Sequence, residues 1–161
     1  MTELASVPTH AAEAADFRPI ADYGLLADCT SAALVSRAGS IDWLCLPHFD
    51  SPAVFARLLD PDAGHWSITP TDDFEVSRRY LPGTLVIETT FTTARGTVRL
   101  TDALAFKPGQ RGHKIGAEAP HELLRLVTGI EGSVELRFEL LRSQLHGDVV
   151  TKRLCLMTLP R

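Results

Sequence analysis

Cysteine, tryptophan and tyrosine are scarce in this chain, at three, two and two among 161 residues. Cys29, Cys45 and Cys155 form an odd, widely spaced set, which excludes a disulfide framework or a Cys-based zinc site and reads as reduced, buried thiols. Long apolar runs are missing too. No stretch approaches the roughly 20 apolar residues of a membrane span, because charge interrupts each one within a few positions. Positive charge has no concentrated tract: 16 Lys and Arg stand against 20 Asp and Glu, a net charge of −4, which argues against a nucleic-acid partner. No Lys or Arg precedes Arg18, whereas Glu3, Glu13 and Asp16 do, so residues 1–16 lack the basic start of an export signal and read as a disordered Ala-rich leader. A cytoplasmic location is expected. What is present, 45% hydrophobic and 22% charged residues, is the balance of one globular domain and excludes disorder, collagen and coiled coil.

The local pattern is that of strands. Pro19 to Ala27 is an extended lead-in, and Cys29 to Arg37 is rich in Ala, Leu and Val without helical spacing. Ala38-Gly39 then turns the chain into Ser40 to Leu46, so the two runs form a hairpin. This register sets Arg37 opposite Ser40, Leu34 opposite Trp43 and Ala32 opposite Cys45. It gathers Leu34, Ile41, Trp43 and Cys45 on one face, and Ala33, Val35, Leu44 and Leu46 on the other. A hairpin apolar on both faces expects a second packing partner.

Pro47 to Pro52 is a turn-rich connector, and Ser51 followed by Pro52 reads as the start of a short helix near residues 52–59. Beyond Asp60-Pro61, extended runs follow at His65 to Thr69, Phe74 to Leu81, Thr84 to Thr93, Thr97 to Phe106, Glu122 to Ile130 and Ser133 to Leu141. Val134, Leu136, Phe138 and Leu140 alternate with charged residues in strict period two. Turns at Thr93 to Gly96 and Gly129 to Gly132 predict a meander, while Lys107 to Pro120, with three glycines and two prolines, predicts a long mobile loop. The expected fold is all-β, an antiparallel β-sandwich with that one short helix.

Chemistry is sparsely signalled. Asp42 and Asp50 flank Trp43 and Phe49, and carboxylates beside aromatic faces suit a sugar ring, with hydroxyls bound at the edge and the ring stacked. The structural reading stands beside it, with Asp50 a turn residue and Trp43 a core anchor. His48, in the Pro-rich connector, is a further polar contact for a ligand or a solvent-facing side chain. The six histidines show no ligand spacing, so no metal site is expected, and Asp60, Asp62, Asp72 and Asp73 read as solvated surface. Neither Gly-x-Ser-x-Gly nor a Gly-rich phosphate loop occurs, which leaves no nucleophile elbow and no cofactor. Arg78-Arg79-Tyr80 reads as a solvated strand face.

Three segments carry a resemblance. Pro19 to Cys29, Ser40-Ile41-Asp42-Trp43-Leu44-Cys45-Leu46-Pro47-His48-Phe49-Asp50-Ser51-Pro52, and Arg79-Tyr80-Leu81-Pro82-Gly83-Thr84-Leu85-Val86-Ile87-Glu88-Thr89 with Val98 to Asp102 resemble the N-terminal β-sandwich domain of bacterial glycoside hydrolase family 15 proteins, the glucoamylase-like and trehalase-like enzymes. The resemblance spans residues 17–141. It implies a non-catalytic domain that packs on an (α/α)6 barrel carrying the catalytic glutamates, with Asp42, Trp43, His48, Phe49 and Asp50 toward the substrate end and no catalytic residue of its own. The implied partners are that barrel, in cis or in trans, and trehalose or an α-glucan. His48 stands where the family usually has Arg, and lacks its planar fork of donors. Residues 142–161 no longer resemble the family and read as a truncated or frameshifted product, or as a shortened standalone domain. A standalone carbohydrate-binding or protein-interaction sandwich is the alternative reading.

Overall fold

The protein is described here from a computed structural model, which describes residues 18–142 and the backbone of 153–158. Eleven strands follow one another: β1 (Tyr23–Ala27), β2 (Ala32–Ser36), β3 (Ser40–Cys45), β4 (Ala53–Phe55), β5 (His65–Pro70), β6 (Phe74–Tyr80), β7 (Ile87–Thr93), β8 (Gly96–Leu104), β9 (Leu123–Gly132), β10 (Glu135–Leu141) and β11 (Arg153–Thr158). They form two antiparallel sheets. The larger has the order β1-β2-β3-β5-β10-β11 with β4 beside β3, and the smaller the order β6-β7-β8-β9. The expected sandwich is therefore present, and no helix among the described residues is long and apolar enough to cross a membrane.

The predicted helix at 52–59 is absent. Ala53–Phe55 is instead a strand paired to β3, with Leu44 opposite Phe55, and Phe55 fills the core beside Leu26 and Ile41. An open edge of β3 and a pocket for one aromatic ring outweigh the local Ser-Pro signal, which is worth only about 1 kcal/mol. The expected β9–β10 hairpin is also absent, because β9 belongs to the small sheet and β10 to the large one. Gly129 to Gly132 is thus part of β9, paired with β8 across a bulge, and Ser133-Val134 carries the chain between layers. Alternation in β10 survives at its start, with Leu136 buried against Ile68 and Phe91 and Arg137 exposed, while Phe138 to Leu141 are all half-buried.

The β2–β3 hairpin forms with Leu34 opposite Trp43 as expected, but Val35 then pairs with Ile41, leaving Asp42 as the extra residue of a bulge. The slip moves Ile41 to the inner face. There it joins Ala33, Val35 and Leu44, all essentially inaccessible. Trp43 and Leu34 stay on the outer face, where they continue a row with Leu25, which is 43% exposed. The expectation of an apolar second face holds for this row.

The remainder of the outer face is polar yet buried. Asp42 accepts a hydrogen bond from Tyr23 Oη at 2.9 Å and from Ser40 Oγ at 2.5 Å, and Arg57 Nη1 lies 3.9 Å away. Burial and the Asp42 charge push the Tyr23 hydroxyl up to about 12, so it remains a donor throughout the physiological range. His65 sits nearby, 3.6 Å from Glu139 with neither ring nitrogen hydrogen-bonded. Burial, reinforced by the Arg57 charge, holds its imidazole below the ordinary range, so at neutral pH it is uncharged and the contact with Glu139 is not an ion pair.

Between the sheets lies a buried ion pair. Arg125 from β9 and Asp102 from β8 are both inaccessible, with Nε 2.8 Å and Nη2 3.2 Å from the two carboxylate oxygens. The same guanidinium crosses to the other sheet, donating to Trp66 O at 2.6 Å and Gly39 O at 2.7 Å, and it stacks on the Trp66 ring. Burial pushes the Asp102 carboxyl upward and Arg125 pulls against it. The second inter-sheet tie overturns the solvated reading of Arg78 and Tyr80. Arg78 Nη1 donates to Asp22 O and Val35 O, while Tyr80 Oη both receives the Leu25 N–H at 2.8 Å and donates to Leu25 O. Arg79 faces solvent, paired with Glu88, and Tyr80 is 44% exposed while its hydroxyl makes the tie.

Two outcomes follow for stability. Arg125→Met is expected to cost about 3–5 kcal/mol in urea unfolding, because it strands a buried carboxylate, and Arg125→Met with Asp102→Leu is expected to recover most of that loss. His65 prefers to be neutral when folded, so its contribution is complete above the ordinary imidazole value of about 6.5 and declines as pH falls through it. The slope of stability against pH between about 7 and 5 should therefore flatten in His65→Gln.

Candidate functional site

Strands β1, β3, β6 and β8 all finish at one end of the sandwich, so the connections 28–31, 46–52, 81–86 and 105–122 gather there. Contacts tie them together. Phe49 N–H donates to Thr30 O at 3.0 Å, and Gly116, with φ +84°, packs so closely on Asp28 that a Cβ would lie 2.4 Å from its carbonyl oxygen. The long 107–120 loop thus ends pressed against the β1–β2 turn, with Ala119 buried. Beside it Ala27, Tyr80, Leu85, Leu104 and Phe106 line an apolar groove of about 670 Å³.

At the centre stands Asp28, fully buried. Its Oδ1 accepts from Thr30 N at 2.9 Å, Thr30 Oγ1 at 2.8 Å and Ser31 N at 2.6 Å, the pattern by which an aspartate closes a turn on its own backbone. Its Oδ2 has no hydrogen-bond partner and faces His121 Nδ1 at 4.0 Å, itself buried and unpartnered. The His121 ring meets His48 edge to face, with centroids 5.4 Å apart. Cys29 (φ 70°) and His121 (φ 55°) are the non-glycine residues in left-handed backbone among those described, and both adjoin Asp28.

Of the residues the sequence singles out, His48, Phe49 and Asp50 lie together here and are exposed, Phe49 by 61%. Reciprocal bonds close their loop, from His48 N–H to Ser51 Oγ and from Ser51 N–H to His48 O, both 3.1 Å. Asp42 is not with them. It is buried on the outer face of the large sheet with its oxygens engaged by Tyr23, Ser40 and Arg57, so it does not share a site with Asp50 in the two-carboxylate arrangement of glycoside hydrolysis. Trp43 is half-buried in the row with Leu34. Burial pushes the Cys45 thiol up, which suits an inert core residue.

Asp28 and His121 were missed by the sequence reading. The Asp-x-Thr-Ser order at 28–31 does signal an Asx turn, but nothing local ties it to a histidine more than ninety positions away. Among the described residues no group of three or more His, Cys, Asp or Glu is arranged to hold a metal ion. What the loop end offers is hydrogen bonding through two imidazoles and the Asp50 carboxylate, with the exposed Phe49 ring beside them.

Comparison with known proteins identifies the family. The family model described as trehalase-like, N-terminal, matches residues 11–138. A trehalase of Mycolicibacterium smegmatis is 45% identical over 130 residues, covering 74% of this chain and 20% of that protein. A trehalase of Mycobacterium tuberculosis is 42% identical over 130 residues, with 74% and 19% covered. Trehalase 1 of Sulfolobus acidocaldarius is 40% identical over 98 residues, with 60% and 17% covered. No solved structure matches the chain. The aligned part of the chain thus spans about a fifth of the length of these relatives. On the extent of the family match and of these identities, the chain belongs to the trehalase-like N-terminal domain family.

Proposed function

We propose that this chain acts as the non-catalytic N-terminal domain of a glycoside hydrolase family 15 enzyme of the trehalase, glucoamylase or α-glucosidase type. In this reading it packs on an (α/α)6 barrel, in cis or in trans, and its loop end helps shape the substrate mouth. The observation that carries it is the match to about a fifth of several trehalases, by a domain whose conspicuous carboxylates, Asp42 and Asp50, make no hydrolytic pair. The outer row of Leu25, Leu34 and Trp43 supports it further, since a sheet face with this apolar stripe calls for a cover. The chemistry belongs to the barrel, and this domain contributes packing and rim contacts. A second reading, a free-standing sugar-binding sandwich, draws on the exposed Phe49 ring beside Asp50.

The test is complementation. The portion of the Mycolicibacterium smegmatis trehalase outside the matched region, co-expressed with this chain, is expected to co-purify with it and to hydrolyse trehalose. Leu25→Glu should weaken that association by about tenfold or more, as charge in the middle of an apolar contact does. Alone, the chain is expected to self-associate in light scattering, and Leu25→Glu to shift it toward monomer. A monodisperse wild-type monomer that neither co-purifies nor restores turnover would overturn the proposal.

A further inference from the structure

We propose that Asp28 is a positioning residue for His121, holding the ring so that Nε2 stands at the loop end as a hydrogen-bond acceptor for a hydroxyl group of a neutral, hydroxyl-rich ligand such as a sugar. The ligand class rests on the functional reading above; the Asp28–His121 coupling does not.

Two buried, unpartnered atoms of complementary character confront each other here. Asp28 Oδ2 can only accept while ionised, and His121 Nδ1, 4.0 Å away, is inaccessible to solvent and bonds nothing else. Leaving a buried polar atom unsatisfied costs about 1–3 kcal/mol, and more when it is charged. Placing the imidazole proton on Nδ1 aims it at the carboxylate, an electrostatic attraction across 4.0 Å, whereas a bare Nδ1 would set a lone pair against that charge. A carboxylate orients the ring behind a metal-bound histidine in a related way. A neutral imidazole has one proton to place, so Nε2 is left with a lone pair. That side of the ring is the open one. His121 keeps 32% of its side-chain surface, and Nε2 is not among the occluded atoms.

The surroundings of the His121 ring narrow the ligand. The His48 ring stands edge-on at 5.4 Å, and the exposed Phe49 and Asp50 occupy the same loop. A bare nitrogen and the exposed Asp50 carboxylate both ask for donors. Phe49 supplies an apolar face. Hydroxyl donors on a ring with apolar faces satisfy all three groups at once.

The tautomer is read directly from long-range ¹H–¹⁵N correlations of the imidazoles in the ¹⁵N-labelled 161-residue chain, using the Leu25→Glu background if wild type self-associates. The expected result is the Nδ1–H form at His121. Asp28→Asn should convert it to Nε2–H, because the three donors from Thr30 and Ser31 keep the amide oxygen at the Oδ1 position and turn the amide N–H toward Nδ1. An Nε2–H ring in the starting protein, or an unchanged ring in Asp28→Asn, overturns the coupling. The spectrum of the starting protein decides this even if the variant does not fold. Trehalose added at high-millimolar concentration is then expected to move the His121 and Phe49 signals, with His121→Ala abolishing the shifts and Asp28→Asn weakening binding about tenfold. The Nδ1–H form without any trehalose response overturns the ligand assignment and leaves the coupling standing. Failed complementation with both results positive would instead isolate the fault in the barrel-docking reading.

Discussion

The sandwich depends most on the buried guanidinium of Arg125, which reaches from one layer to the other. Two sheets that share no hydrogen-bonded ladder are held mainly by apolar contact, which is strong but indifferent to small slides and rotations. Arg125 supplies direction. Its guanidinium is anchored in the small sheet by Asp102 and spends its remaining donors on the carbonyls of Gly39 and Trp66 in the large one. The arrangement tolerates full burial because every charge is matched and the geometry is bidentate. It also explains a glycine. Gly39 adopts φ +78°, and a Cβ there would lie 2.5 Å from Ile68 O and 3.0 Å from the Phe91 ring, so only glycine lets its carbonyl reach Arg125 while the turn packs on the core.

At the edge nearest β1 the same problem is solved differently. An edge strand presents unpaired backbone groups, and here the Tyr80 hydroxyl satisfies both the N–H and the C=O of Leu25. Gly24 assists, since a Cβ would strike Ile87 at 2.5 Å. With the layers fixed by Arg125 and by Arg78 and Tyr80, the loops at one end are brought to fixed separations. That is what sets Asp28 of one sheet against His121, which leads into the other. The rim chemistry is thus a consequence of the inter-sheet ties rather than of any one loop.

Much of the fold was legible. Period-two alternation located β10, the Ala94-Arg95 turn located the β7–β8 hairpin, and the Leu34–Trp43 pairing followed from Ala38-Gly39. The errors share a cause. Ser51-Pro52 carries a true helix-start signal, yet Ala53–Phe55 adds to β3 because a sheet edge and a core pocket were waiting there. The Asp42 bulge, which turns Ile41 inward and buries the aspartate, answers to Tyr23 and Arg57, which are distant in sequence. One signal was available and passed over: Asp102 and Arg125 each occupy an inward position in an otherwise apolar alternation, Val98-Leu100-Asp102-Leu104 and Leu123-Arg125-Val127. Opposite charges on core-facing positions of adjacent strands predict a buried pair.

By itself the sequence determined the class of the fold, most of the strands and most of the turns, and it carried the segments by which the family is known. These are local properties, written in alternation and turn chemistry over fewer than a dozen residues. The tertiary structure alone decided which sheet receives each strand, that Asp42 is withdrawn from the loop that His48, Phe49 and Asp50 share, and that Asp28 confronts His121. Those facts rest on contacts between distant residues, such as Arg125 with Gly39 at a separation of 86 positions. Such contacts are selected by the shape and charge of the assembled core, and no local window contains both partners.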